Sequence, residues 1–218
     1  MKLYKWLSKK HAWSRGESGV SSKVYGTYAE YVEHQKAKLQ SIKHIDKKRE
    51  RLISGLTERF KDILQIRRGA NALCLGARAG AEVEAFIGFG VFAIGIDLNP
   101  GPDNRFVVTG DFHHLQYADN SVDVIYTNSL DHAFDVEKIL EEVRRVLKPS
   151  GVFIAELIGG SRDDLGRDPG YYASTWWDSV DQIVGRISAT GFRVEKRVDF
   201  SLPFRGTHVV FAPISRTA

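Results

Sequence analysis

The sequence predicts a doubly wound α/β fold, a mostly parallel sheet covered by helices on both faces, and three observations carry that prediction. Residues 71–75 (NALCL) form an apolar run that breaks into glycines at Gly76 and Gly80 and resumes as a helical pattern, which reads as strand, tight turn and helix. Further strand-like segments at 91–97, 106–108, 122–128 and 152–157 alternate with helical ones, the order that builds a parallel sheet. Two β-rich segments, 191–200 and 205–213, close the chain on either side of Leu202-Pro203; as a hairpin they would add an antiparallel strand.

At 218 residues the chain has room for one α/β domain and a modest appendage. Cys74 is the only cysteine and sits inside the first strand, so a disulfide framework, a cysteine metal site and a redox pair are excluded, and no metal is expected. A cytoplasmic protein is expected: no run approaches the roughly 20 apolar residues of a membrane span, and no signal-peptide pattern follows Met1. The charge is unevenly spread. Through Arg68 there are 17 Lys/Arg against 7 Asp/Glu, and from Gly69 onward 14 against 20. Residues 1–68 therefore read as a basic N-terminal segment and helical cap, and 69–218 as the ligand-binding domain. The basic excess is either a solvated helix face or an attractor for phosphates, acidic sugars, nucleic acid or an anionic membrane.

Each element follows from its local pattern. Leu3, Trp6 and Leu7 among lysines open the chain as an interfacial anchor, a floppy terminus or a flap on the domain. From Lys23 to Arg68 apolar residues recur at helical spacing, and Ser54-Gly55 is expected to divide this stretch into two helices, because glycine in a helix interior costs about 1 kcal/mol relative to alanine. Tyr25, Tyr28, Tyr31, His34 and Gln35 give the cap a polar-aromatic face, either ordinary packing with a wet edge or a lid over a pocket. Residues 80–88 continue the glycine turn as a helix, and 136–147 (VEKILEEVRRVL) form a strongly amphipathic one that Lys148-Pro149-Ser150-Gly151 stops. After the loop 159–170 a helix is expected over 173–189. In that region Tyr171, Tyr172, Trp176 and Trp177 either wall an acceptor pocket or cover the sheet, and Arg162 and Arg167 either clamp an anion or face solvent.

Residues 71–157 resemble a class I S-adenosylmethionine-dependent methyltransferase with a type 11-like domain. Leu73 to Gly80 stands where that family writes its glycine turn, Asp97 ends the second strand, and Gly110-Asp111-Phe112 follows the third. Thr127 to His132 follows the fourth, and Arg145-Val146-Leu147-Lys148-Pro149-Ser150-Gly151 is close to the family's R-x-L-K-P-G-G. The resemblance implies a Rossmann-like seven-stranded sheet, the cofactor S-adenosyl-L-methionine, and cofactor contacts from Gly76, Ala77, Arg78, Gly80, Asp97, Leu98, Gly110, Asp111, Phe112, Asn128 and Ser129. Asp97 would accept from the ribose hydroxyls and Asp111 from the adenine amine, with the Phe112 N–H on the adjacent ring nitrogen. Beyond the fourth strand His132 is a candidate general base, with Asp131 beside it; the competing roles are packing and helix capping.

The sequence departs from the family twice. Cys74 replaces the strand-end acid that supports the cofactor's amino group, and Arg78 replaces the middle glycine of the turn, either pairing with the cofactor carboxylate or pointing away. Arg78 also breaks the G-x-G-x-x-G of dinucleotide oxidoreductases, whose third position tolerates Ala81, and Thr127 to His132 lacks the proline box of nucleic-acid amino-methyltransferases. The expectation is methyl transfer to a small-molecule or carbohydrate-like acceptor, at oxygen. The alternatives are a non-catalytic scaffold with weakened cofactor affinity and an RNA methyltransferase using the basic cap. The oligomeric state is not legible.

Overall fold

The structure, a computed structural model, describes residues 12–16, 19–41 and 45–214. Leu3, Trp6 and Leu7 lie outside the described residues. The main sheet contains β3 (Asn71–Leu75), β4 (Phe92–Asp97), β5 (Val107–Thr109), β6 (Val122–Thr127), β7 (Leu147–Leu157), β9 (Phe192–Phe200) and β10 (Gly206–Pro213) in the order β5-β4-β3-β6-β7-β10-β9. Neighbours from β5 to β7 are parallel, and β10 is antiparallel to both β7 and β9. This is the expected doubly wound sheet with its antiparallel closing strand. From β3 the chain goes first to β4 on one side and later to β6 on the other, so a crevice opens outside the carboxyl ends of β3 and β6, where open α/β sheets bind ligands.

Strand side chains alternate between faces, and both faces of β3 are covered. Leu73 and Leu75 join the core beneath α4 (Val136–Val146) and α5 (Val180–Ala189), with Ile139, Leu140 and Ile183. Ala72 and Cys74 point the other way, into a core with Phe60 of α2 (Ile45–Phe60) and Phe86 of α3 (Ala81–Gly88), whose rings stack at 4.4 Å. The helix starts are fixed locally: Asp135 accepts from the Lys138 N–H at the start of α4, and Ser179 and Gln182 form a capping box on α5.

The structure departs from the sequence expectation in three elements. The cap helix α2 runs unbroken through Ser54-Gly55, because the missing side chain lets the β9–β10 loop approach: a Cβ on Gly55 would lie 3.1 Å from the Leu202 carbonyl oxygen. The expected helix over 173–189 begins only at Val180. Thr175–Trp177 is instead a strand, β8, paired with β2 (Val20–Lys23), which pairs in turn with β1 (Trp13–Arg15). Strand β7 starts at Leu147 rather than 152, and a register shift between Val122 and Val124 of β6 absorbs the extra length.

The remaining helix, α1 (Tyr28–Lys36), continues into a 3-10 turn, Ala37–Ser41, and lies across the crevice. Tyr31 donates to the His132 carbonyl at 3.1 Å, Gln35 donates to the Tyr172 carbonyl at 2.9 Å, and Asn99 donates to the Lys36 carbonyl at 2.8 Å. Further along, α2 is anchored by Arg59, which makes two bonds to the buried Glu156 at 2.6 and 3.0 Å. No helix among the described residues is long and apolar enough to cross a membrane.

Candidate active site

The crevice is built from the turn after β3. Gly76 has φ 69°, and a Cβ there would stand 2.8 Å from the Ser129 Cβ, so only glycine lets the turn press against the loop after β6. Arg78 also adopts a left-handed conformation, φ 40°, although it is not glycine. Two bonds hold it there: its N–H donates to Asp97 Oδ2 at 3.0 Å, and its carbonyl accepts from Asn104 at 2.7 Å. The backbone thus keeps the curl that the family's middle glycine would give, and the side chain is carried to the boundary between two connected spaces. Gly80, φ 80°, is the N-cap of α3.

The first space lies over the ends of β4 and β5 and is lined by Gly76, Arg78, Asp97, Leu98, Gly110, Phe112 and Ser129 of the expected cofactor residues. Asp97 Oδ1 accepts from the Asn99 N–H at 2.8 Å and Oδ2 from Arg78; each oxygen retains a lone pair for a ligand hydroxyl. Tyr31, Gln35, Lys38 and Leu39 of the cap close its outer side, and the space between measures about 40 Å³, room for one or two waters. Asp111 does not line it. Its Oδ1 accepts from the His113 N–H at 2.9 Å and the His113 ring at 2.7 Å, and the Tyr28 hydroxyl donates to Oδ2. Burial alone would raise the Asp111 carboxyl, but these bonds outweigh it and hold it well below the usual carboxylate range.

The second space measures about 490 Å³ and takes in Ala77, Asn128, Asp131 and His132. Its rim is charged: Lys38, Arg49, Arg78 and Arg167 stand against Glu82 and Asp131. His132 Nδ1 lies 2.8 Å from the Tyr172 carbonyl and carries the hydrogen of that bond, which turns the Nε2 lone pair toward Lys38 Nζ, with Asp131 3.5 Å away. Burial pushes the imidazole down to about 4, against the pull of Asp131. Burial likewise brings the Lys38 ammonium down to about 7, helped by the charge of Arg78. Lys38 escaped the sequence reading because it is one lysine in a basic segment. Only its placement beside His132 distinguishes it.

None of the four aromatic residues after the loop lines either space, so they do not wall the pocket. Trp176 and Trp177 are buried, Tyr172 stacks on His34 at 5.2 Å, and Tyr171 is half exposed. Arg167 lines the second space, whereas Arg162 is mostly exposed beside Asp178 at 3.6 Å.

The donor set fits S-adenosylmethionine once the cap lifts. Asp97 offers free lone pairs to the ribose, the Gly76 turn admits close approach, and the second space carries both charges that an amino acid requires. Comparison with known proteins agrees. Residues 73–155 match the model of a methyltransferase domain. Over 172 residues the chain is 28% identical to 24-methylenesterol C-methyltransferase 2 of Oryza sativa subsp. japonica, a match covering 67% of this chain and 47% of that protein. The chain therefore spans less than half the length of this relative. Among solved structures, the fold is similar to that of Burkholderia thailandensis 1,6-didemethyltoxoflavin-N1-methyltransferase, solved with 1,6-didemethyltoxoflavin and S-adenosylhomocysteine: TM-score 0.70, 15% identity, 95% of this chain and 97% of that one. An Aquifex aeolicus SAM-dependent methyltransferase gives TM-score 0.60 and 19% identity over 82% of this chain and 98% of that one. The glycine turn, the strand-end Asp97 and the sheet order agree with the matched domain, so residues 73–155 are similar to the methyltransferase domain of S-adenosylmethionine-dependent enzymes, within a fold those enzymes share.

Proposed function

We propose that this protein transfers a methyl group from S-adenosylmethionine to a hydroxyl oxygen of a small, anionic acceptor of sugar-like or similar polar character. The observation that carries this reading is the second space, about 490 Å³, within the size range of small-molecule sites, with four cations and two carboxylates around it. An apolar acceptor such as a sterol would desolvate Arg78 and Arg167 without supplying a counter-charge. The basic cap does not favour RNA, since Arg49 and Arg59 are engaged with Glu84 and Glu156.

When bound, S-adenosylmethionine supplies a methyl on a sulfonium, so no covalent enzyme intermediate is required. Asp97 would hold the ribose, and Phe112 and Leu98 would line the nucleoside end. Arg167 holds the acceptor's negative charge against the second space. Lys38, neutral above about pH 7, would take the acceptor's hydroxyl proton on Nζ. His132 orients Lys38, and the charge of Asp131 raises its proton affinity against the effect of burial.

The test uses methyl-labelled S-adenosylmethionine with a panel of acidic sugars, phenolic acids and small-molecule extract, followed by product identification. Label on an oxygen of an anionic small molecule is the expected result. Label on RNA, on protein or on carbon would overturn the acceptor assignment.

A further inference from the structure

Two carboxylates are deeply buried behind this site, and the protein treats them differently. Glu156, 3% exposed, is met by Arg59 and by His208 at 3.1 Å. Glu82, 5% exposed, lies in the first turn of α3, accepts at Oε1 from Asn128 Nδ2 at 3.0 Å, and faces the second space. Among the described residues no Lys, Arg or His nitrogen forms an ion pair with it. A buried carboxylate given only a neutral amide is costly to ionise, and a cation entering the adjoining space removes that cost. The end of β3 offers the cleft no acid, because Cys74, fully buried, stands where the family's strand-end acid would be; Asp131, the other carboxylate of this space, lies 3.5 Å from the His132 ring.

We propose that Glu82, steadied by Asn128, is the carboxylate that receives the α-ammonium of the cofactor, so that the acid missing from β3 is supplied from the first turn of the next helix. This rests on the reading of the cleft as an S-adenosylmethionine site. Arg78, across the same space, then serves the α-carboxylate, and the pair forms a subsite with two opposite poles for an amino acid zwitterion. The charged and titratable groups around Glu82 are Arg78 from the turn, Cys74 on β3, Tyr126 on β6 and Glu156 on β7. Burial raises the Glu82 carboxyl to about 7, so below that pH the carboxyl holds a proton that an incoming ammonium expels.

Calorimetric titration with two probes tests this: S-adenosylhomocysteine, which carries the amino acid, and 5′-methylthioadenosine, which keeps the nucleoside and thioether without it. Glu82→Gln is expected to weaken S-adenosylhomocysteine roughly 10- to 100-fold and to leave 5′-methylthioadenosine within about threefold. At about pH 6 the wild-type heat with S-adenosylhomocysteine should also differ between buffers of unequal ionisation enthalpy, reporting proton release, and Glu82→Gln should abolish the difference. Equal S-adenosylhomocysteine affinity in the variant and wild type would overturn the assignment of Glu82 and leave the cofactor reading standing. Loss of both ligands in the variant would overturn it too, by showing that Glu82 props the cleft open. Failure of the wild type to bind either probe would overturn the cofactor reading and this inference with it.

Discussion

Replacing Arg59 by methionine tests whether the cap helix is held to the sheet by charge. Arg59 reaches from α2 to Glu156 on β7 through Nε and Nη2, donates through Nη1 to the Leu202 carbonyl at 3.1 Å, and lies 4.1 Å over the Phe200 ring. The side chains of Arg59 and Glu156 are 11% and 0% exposed, so solvent gives little screening. Removing the cation leaves a carboxylate buried with only the His208 ring beside it, and breaking a buried pair from one side costs roughly 3–5 kcal/mol. For a chain of this size that corresponds to a fall of about 6–20 °C in melting temperature. Urea denaturation of Arg59→Met, Glu156→Gln and the double variant measures it. The second substitution should recover most of the loss caused by the first, because a neutral amide needs no counter-charge. A loss below about 1 kcal/mol in Arg59→Met, or strict additivity in the double variant, would refute the reasoning.

Glu82→Gln should change the pH dependence of stability. The folded carboxyl is raised to about 7 against 4.5 unfolded, so the stability present below pH 4.5 is lost as pH rises toward 7, by about 3 kcal/mol. Denaturation curves at pH 4.5 and pH 8 should therefore converge in the variant and stay apart in the wild type. Lys38→Met should remove an inflection near pH 7 from the rate profile, where wild-type activity rises as Nζ loses its proton, and lower the rate by roughly 10²- to 10⁴-fold; an unchanged profile would rule Lys38 out as the base. Arg78→Gly relieves a left-handed non-glycine residue and should raise stability by about 1 kcal/mol while weakening S-adenosylhomocysteine about tenfold by calorimetry. Tyr28→Phe removes the hydroxyl that the cap places on Asp111. It should speed S-adenosylhomocysteine association about tenfold in stopped-flow fluorescence, because the cap must lift from a space of about 40 Å³ before a nucleoside enters.

What the sequence revealed was local. The strands β3, β4 and β6 and the helix α4 announce themselves by apolar runs and periodicity, and the glycine turn with Asp97 at the end of β4 marks the cleft. Pairing between distant segments leaves no such trace. Thr175–Trp177 reads as the start of a helix because its partner, Val20–Lys23, lies some 150 residues earlier. Gly55 reads as a helix break until the loop that packs on it is known. Lys38 and Glu82 are ordinary by type and position, a lysine among lysines and an acid in a first helical turn, where it normally serves the helix dipole. What gives them chemistry comes from residues distant in sequence: the loop after β6 brings Asn128 to Glu82 and His132 to Lys38.

The pairing of β2 with β8 also couples two parts of the cleft mechanically. Val20–Lys23 leads into α1, and Thr175–Trp177 follows the loop that carries Arg167. Because the two strands share a hydrogen-bonded ladder, a displacement of the cap is passed to that loop, and the covering of the first space and the wall of the second act as one lever.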